Sequence, residues 1–357
     1  MMGLFTLCSL GLLNGFVLLW RVPRCKQAAS ASLRLFSVII PARNEEKNLP
    51  PLLNSLKDSS IQPHEIIVVD DASSDATAEV ASRLGARVIF SRELPRGWTG
   101  KTWACAQGAE AATAEWFLFL DADTFFAPGG FALLAGFRAA KLEKTTALSA
   151  LPFHAVQEPY EQLSLFFNLL MAFGAGGFGL VGEGRLFGQS LAIGRELYEH
   201  AGGHSAAKGS ILENLTFYSN IKAAGGKCVC LGGAGMLNMR MFPHGFRQLC
   251  EGWTKAFADG AAASDRRVLF LAVLWLSQLF ATCIAIVFTH EAWRASFVLL
   301  YLCFALQLAQ LARPIGSYRF LAFLLYPLPL MFFFAIFGQS LFKRTFKRKV
   351  AWRGRQI

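Results

Sequence analysis

The chain has 357 residues, 54% hydrophobic and 17% charged, with a formal net charge of +11. A protein soluble along its whole length is excluded, because no charge occurs in residues 2–20, 268–289, 295–312 or 320–342, and apolar stretches of that size are long enough to cross a bilayer. Nucleic-acid binding is discounted as well: the basic excess sits in Arg21, Arg24 and Lys26 and in the seven Lys or Arg of residues 343–357, where it flanks apolar segments and suits anionic headgroups.

In chain order, residues 1–34 read as a transmembrane anchor and basic linker. The segment 2–20 has no basic region in front of it, unlike a cleaved signal peptide, and Arg21, Arg24 and Lys26 follow it. The positive-inside rule then places the amino terminus outside and the middle of the chain in the cytoplasm, at the cell membrane.

From 35 to 265 strands alternate with helices. LFSVII (35–40) is a strand ended by Pro41; Leu49, Leu52, Leu53 and Leu56 then recur at helical spacing, with Asn48 as a cap and Pro50 in the first turn. EIIVVD (65–70) is a second strand, followed by a helix capped by Ser73 or Ser74 and closed by Gly85. ARVIF (86–90), a helix near 102–112 and WFLFL (116–120) complete the pattern. This interval predicts an α/β fold with a doubly wound, mostly parallel sheet covered on both faces. The eight cysteines include no Cys-x-x-Cys, and Cys228 and Cys230 are too sparse for a zinc site, so reduced thiols are expected.

In such sheets ligands gather at the carboxyl ends of the strands, and acidic residues fall there. Glu45, with Pro41 and Asn44, follows the first strand; Asp70 and Asp71 end the second; Asp121 and Asp123 end the fourth. Side chains two apart on a strand point the same way, so Asp121 and Asp123 can converge on one cation, and oxygen-only ligation suits Mg²⁺ or Mn²⁺ bridged to substrate phosphates. Asp-x-Asp alone also caps turns. Acids at three strand ends, however, cost Coulomb energy unless a cation or hydrogen-bond donors offset it. The chain has no GxxxxGK[ST] and no GxGxxG, which argues against P-loop ATPases and ordinary dinucleotide oxidoreductases.

SVIIPARNEE (37–46), VVDDASSDAT (68–77) and FLDADT (119–124) resemble the successive strand-end motifs of family 2 glycosyltransferases with the GT-A fold. The resemblance covers roughly 35–265 and implies inverting transfer from a nucleotide sugar, usually a UDP-sugar, assisted by a divalent cation. It implies that Pro41, Asn44 and Glu45 line the nucleotide pocket, that Asp71 with Asp70 contacts the uridine, and that Asp123 ligates the metal, with Asp121 helping. RGWTGKTWACAQGA (96–109), GQSLAIGRELYEHAGGH (188–204) and EGWTKAFADGA (251–261) are similar to bacterial carotenoid-acid glycosyltransferases and, more distantly, to hopanoid-associated ones. Lys101 is a candidate for the diphosphate or a solvated loop lysine, and the Gly202–Gly203 pair is expected to form a tight turn under the acceptor.

The chain departs from the family at the base. Where the family carries a Glu-Asp pair, the sequence has Glu213-Asn214, and an amide cannot act as a general base. Glu213 takes that role, or the acceptor needs no strong base, or activity is lost. The QxxRW-type acceptor motif is replaced by RQLCEGWTK (247–255), in which Trp253 keeps an aromatic platform and, with Lys255, is assigned to the acceptor side; Trp253 as a plain interfacial anchor is the alternative. Phe166, Phe167, Leu169, Leu170, Met171 and Phe173 form either an amphipathic docking surface or an ordinary core helix.

Residues 266–342 form the second membrane region. Three full crossings there would put the basic tail outside, so the 320–342 segment, broken by Pro327 and Pro329, is expected to lie in the interface or to re-enter. The function expected is a membrane-bound hexosyltransferase moving a sugar from a UDP-sugar to a lipid-soluble acceptor, by preference glucose onto a carotenoid carboxylic acid. A hopanoid or polyisoprenyl-phosphate transferase, and an inactive sugar-nucleotide-binding scaffold, are the competing readings.

Overall fold

The computed structural model describes residues 1–25, 36–141, 143–175, 177–209, 213–262, 264–345, 351–352 and 355–356. A first helix, α1 (Met2–Leu18), precedes the alternation β1 (Phe36–Ala42), α2 (Leu49–Lys57), β2 (Glu65–Asp70), α3 (Thr77–Arg83), β3 (Arg87–Phe90), α4 (Gly100–Ala111) and β4 (Trp116–Leu120). Then come β5 (Thr124–Phe126), α5 (Gly130–Lys141), β6 (Thr146–Leu151), β7 (Phe153–His154), α6 (Leu165–Ala175), β8 (Ser190–Gly194), α7 (Arg195–His200) and α8 (Glu213–Ala223). The chain continues through β9 (Lys227–Gly232), β10 (Leu237–Met239), α9 (Phe246–Ala262), α10 (Arg266–Phe288), α11 (Glu291–Ala312), α12 (Phe320–Leu324) and α13 (Pro327–Thr345).

The apolar runs of the sequence pair as the centre of a seven-stranded sheet in the order β3-β2-β1-β4-β8-β6-β9. All pairings are parallel except those of β8, which runs against both β4 and β6. β1 and β4 are buried on both faces, which is why their sequences are continuous apolar runs rather than alternating ones. β1 extends through Pro41 to Ala42, beyond the end expected from the sequence. Past Ile39 it pairs with β2 alone, where a proline can be accommodated at the strand's edge. A second, three-stranded sheet, β5-β10-β7, branches off directly after Asp123.

Two helix caps differ from expectation. α3 starts at Thr77, and Ser73 and Ser74 bond across the loops to Asp70 and Asn44 instead. Asn48 occupies the cap position of α2, but its side chain donates to Glu45 Oε2 at 2.6 Å rather than receiving a helix N–H.

The apolar ends of the chain come together. α10 and α11, with 23 and 22 residues, are each long and apolar enough to cross a membrane. α1 lies against them through Gly11 and Gly15, a pair of small residues four apart that lets helix backbones approach closely. A Cβ on Gly11 would lie 2.7 Å from the Phe304 ring and 2.9 Å from Gln278 Cβ. Buried amides fasten the three helices: Asn14 Nδ2 donates to Gln278 Oε1 at 2.9 Å, Gln278 Nε2 to Leu7 O at 2.9 Å, and Trp275 Nε1 to Gln307 Oε1 at 3.1 Å. The chain breaks between α12 and α13, with Pro327 at the first position of the new helix, where its missing N–H costs nothing. Most of the basic tail lies outside the described residues.

α6 joins this cluster to the sheet domain. Phe166, Phe167 and Leu169 are fully buried, Phe173 nearly so, and Leu170 and Met171 half-buried, so α6 is a core helix and not a docking surface. Backbone bonds tie the same regions: Leu180 N–H to Val17 O at 2.8 Å, Gly232 N–H to Pro23 O at 2.7 Å and His154 N–H to Ile315 O at 2.8 Å. Gly11→Val should overpack the α1 seam and cost about 1–3 kcal/mol, read as a lower midpoint of thermal inactivation in detergent; an unchanged midpoint would mean that α1 does not contribute to the fold's stability.

Candidate active site

Pro41, Asn44, Glu45, Asp70 and Asp71 all lie at the carboxyl edge of β1 and β2, and the two strand ends are laced together. Asn44 adopts the left-handed conformation (φ 55°), which asparagine tolerates better than most residues. Its N–H donates to Ser73 Oγ at 3.0 Å and its Oδ1 accepts from Ser74 N–H at 2.8 Å. Glu45 N–H donates to Thr77 Oγ1 at 2.8 Å. Asp70 is buried and accepts from Ser73, so it holds the turn. Asp71 is buried beside Arg43, whose Nη1 donates to Asp71 O at 2.6 Å and lies 3.8 Å from Asp71 Oδ2. Arg43 carries no strand-end signature in the sequence, and only the folded pairing exposes its role.

Asp121 and Asp123 lie one strand further along, past the end of β1 on its other side. They occupy the corner where the chain leaves the large sheet for β5, and Thr124 fixes that corner by donating Oγ1–H to Asp121 O at 2.7 Å. β2 and β4 are both neighbours of β1, so their ends are separated by two strand spacings, about 10 Å.

Lys101 enters from α4. Gly108 lets that helix lie close on the sheet: a Cβ there would be 2.4 Å from Ile39 Cγ2. The N-terminus of α4 thereby reaches the end of β4. Lys101 Nζ lies 2.8 Å from Asp121 Oδ1, 2.9 Å from Glu213 Oε1 and 3.0 Å from Gly188 O, so its three hydrogens are engaged. Burial alone would lower the ammonium's pKa, but the Asp121 and Glu213 carboxylates outweigh it and hold Lys101 well above the ordinary lysine value. It therefore stays charged. The next residue of α8, Asn214, donates Nδ2–H to Leu186 O at 2.7 Å.

These groups line a small, partly open cavity, with Pro41, Leu186 and Gly188 among its walls and Phe119, Phe217 and His204 also lining it. His204 was not singled out from the sequence beyond the Gly-Gly pair before it. Burial first and then the Lys101 charge push its imidazole down to about 3, so the ring is neutral.

Trp253 lies elsewhere. It is buried within the helix cluster, stacked on Phe167 at 4.5 Å, and its Nε1 donates to Ser164 Oγ at 3.0 Å. It does not line the Lys101 cavity. Lys255 follows it on α9, and its side chain lies outside the described residues.

β4 ends at Leu120, so Asp121 and Asp123 lie in the turn after it and strand alternation does not set their directions, contrary to the expectation from the sequence; their carboxylates keep the oxygen chemistry that suits a hard divalent cation. Among the described residues no cluster of three or more His, Cys, Asp or Glu is placed to cage a metal. A two-carboxylate site completed by phosphate and water oxygens, the usual habit of Mg²⁺, fits what is present.

Comparison with known proteins agrees with this fold. Residues 37–146 match the family model described as "Glycosyl transferase family 2". The chain is 34% identical over 334 residues to the 4,4'-diaponeurosporenoate glycosyltransferase of Staphylococcus aureus strain USA300, covering 90% of this chain and 88% of the relative. The protein of the same name from strain MRSA252 is 33% identical over the same coverage. In fold the chain is similar to a mannosyltransferase of Pyrobaculum calidifontis solved with GDP-mannose and Mn²⁺, with a TM-score of 0.56, 17% identity and coverage of 97% of this chain and 99% of that one.

Removal of the Lys101 charge should misplace Glu213 and Asp121 together. Lys101→Met is expected to lower kcat/KM by roughly 10- to 100-fold, matching the about 1.5–3 kcal/mol of a hydrogen bond to a charged group. Steady-state kinetics with an unchanged thermal midpoint would carry the result; near wild-type turnover would show that the three-way contact is incidental.

Proposed function

Because the chain belongs to the family 2 glycosyltransferases, we propose that it transfers a sugar, by preference glucose, from a UDP-sugar to a carotenoid carboxylic acid at the membrane, with inversion at the anomeric carbon. The name of the 34% identical relatives supports the acceptor class. The observation that carries the reading is at Asn214, where the family has its acid. The amide donates to the Leu186 carbonyl, a contact that a carboxylate would turn into repulsion between two oxygens. The position serves structure and not proton transfer. A carboxylic acid acceptor has a reference pKa of about 4 and is already ionised near neutral pH, so it attacks without a strong base.

In this reading Pro41, Asn44, Glu45, Asp70 and Asp71 frame the nucleotide end. Lys101 orients Glu213 and Asp121 beside the reacting carbon. Asp123 and Asp121 would hold Mg²⁺ or Mn²⁺, whose charge offsets that of the leaving diphosphate.

Apolar side chains such as Phe270, Val273, Val287 and Phe288 point outward from α10 and suit lipid contact, which supports a membrane-bound enzyme; the basic residues after the first apolar segment favour a transferase domain at the cytoplasmic face. Anchoring there spares the extraction of a long apolar acceptor into water, at about 0.8 kcal/mol per CH₂.

The membrane-bound protein, given UDP-glucose, Mg²⁺ or Mn²⁺ and a carotenoid-acid extract, is expected to release UDP and form a glycosyl ester that mild alkali cleaves. Asp123→Ala should abolish both. An alkali-stable product would point to an alcohol acceptor, and UDP release unaffected by Asp123→Ala would overturn the site assignment. Asn214→Asp is expected to leave turnover within a few-fold; a rise approaching the about 10²–10⁴-fold that a general base supplies would show that the base is missing and refute the ionised-acceptor argument.

A further inference from the structure

Beyond the strand-end motifs, the structure points to a donor-sugar contact that the family comparison does not assign. We propose that His204 donates a hydrogen bond from Nε2–H to a hydroxyl oxygen of the sugar being transferred; this rests on the glycosyl-transfer reading above.

The argument starts with the turn before it. Gly202 and Gly203 both have positive φ, 78° and 53°, and a Cβ on Gly203 would lie 2.9 Å from the Tyr198 ring. Only glycine lets the chain fold this tightly over Tyr198. The turn delivers His204 to the tyrosine hydroxyl, which accepts the His204 backbone N–H at 3.1 Å and lies 2.9 Å from Nδ1.

That pair of bonds fixes the tautomer. The hydroxyl has one proton to give, and among the described residues Nδ1 is its one acceptor. Nδ1 therefore accepts, and in a neutral ring the remaining proton sits on Nε2. The ring cannot turn away, because Phe119 and Phe217 pack edge-on against it, each with its centroid 4.7 Å distant.

His204 lines the cavity that holds Lys101, Asp121 and Glu213. It is 5% exposed; no described protein group accepts its Nε2–H, and Nε2 is not among the buried polar atoms closed off without a partner, so the N–H keeps access to solvent. An aromatic hydrocarbon ring would fill the Phe119–Phe217 niche without a donor; the imidazole adds one where a ligand can reach it. Lys101 cannot serve the ligand in the same way, since Asp121, Glu213 and Gly188 already take its three hydrogens.

The test compares His204→Phe, which keeps the packing and removes the donor, with His204→Gln, whose amide N–H replaces Nε2–H. Affinities for UDP and for UDP-glucose are measured on the full chain in detergent, alongside kcat/KM where turnover occurs. His204→Phe should weaken UDP-glucose binding and kcat/KM by about 5- to 100-fold while UDP affinity stays within two-fold; His204→Gln should recover most of the loss. Among singly deoxygenated UDP-glucose analogues, the one lacking the contacted hydroxyl should lose that factor with the wild type and lose nothing further with His204→Phe. Equal affinities of wild type and His204→Phe for UDP-glucose, or equal losses on every analogue in both proteins, would overturn the proposal. If the wild type binds UDP-glucose but does not glycosylate a carotenoid acid, the acceptor assignment fails and the binding comparison still decides His204.

Discussion

A single ammonium group sets the geometry of the site. Lys101 Nζ contacts Asp121 at the end of β4, Glu213 at the start of α8 and the Gly188 carbonyl before β8. Two carboxylates brought this close in a half-buried cleft repel each other unless a cation lies between them, and the close seat of α4 on the sheet at Gly108 is what puts the cation there. The acidic groups are therefore assembled before any substrate arrives, which avoids reorganisation at the moment of reaction.

The same contact couples the site to the helix cluster. Gly188 ends a segment that starts after α6 and is held at three points: Phe178 O accepts from Trp20 N–H at 2.9 Å, Leu180 N–H donates to Val17 O at 2.8 Å, and Leu186 O accepts from Asn214 Nδ2 at 2.7 Å. Its first part meets the end of α1 and its last part the cavity wall, so the site is held in a fixed relation to the apolar helix cluster.

The elements that carry strong local signals were legible in the sequence. β1, β2 and β4 are continuous apolar runs ended by polar residues, and Asp70, Asp71, Asp121 and Asp123 fall at one edge of the sheet as their order implied. What could not be read depends on partners distant in the chain. Ser73 and Ser74 looked like helix caps because serine often is one, but Asn44 and Asp70 compete for them across two loops. Lys101 had no local signature that separated a solvated loop residue from the centre of two ion pairs and a carbonyl contact. Trp253 resembled an exposed platform; its ring finds Phe167 and Ser164 only once α6 and α9 pack. The antiparallel insertion of β8 between β4 and β6 left no periodicity to detect.

The departure at Asn214 follows from charge. Asp121 and Glu213 already share one ammonium whose hydrogens are all engaged. An acid at 214 would add a third negative side chain to the same wall, with no further cation among the cavity-lining residues to offset it. For a neutral alcohol acceptor that cost is recovered when the acid takes the proton. For an acceptor that arrives as a carboxylate there is no proton to take, so an acid here brings no gain to set against its charge. The amide avoids that charge and, through Leu186, still holds the wall in place. On the carboxylate-acceptor reading, a base at this position is dispensable, and its loss is not a defect in the reaction.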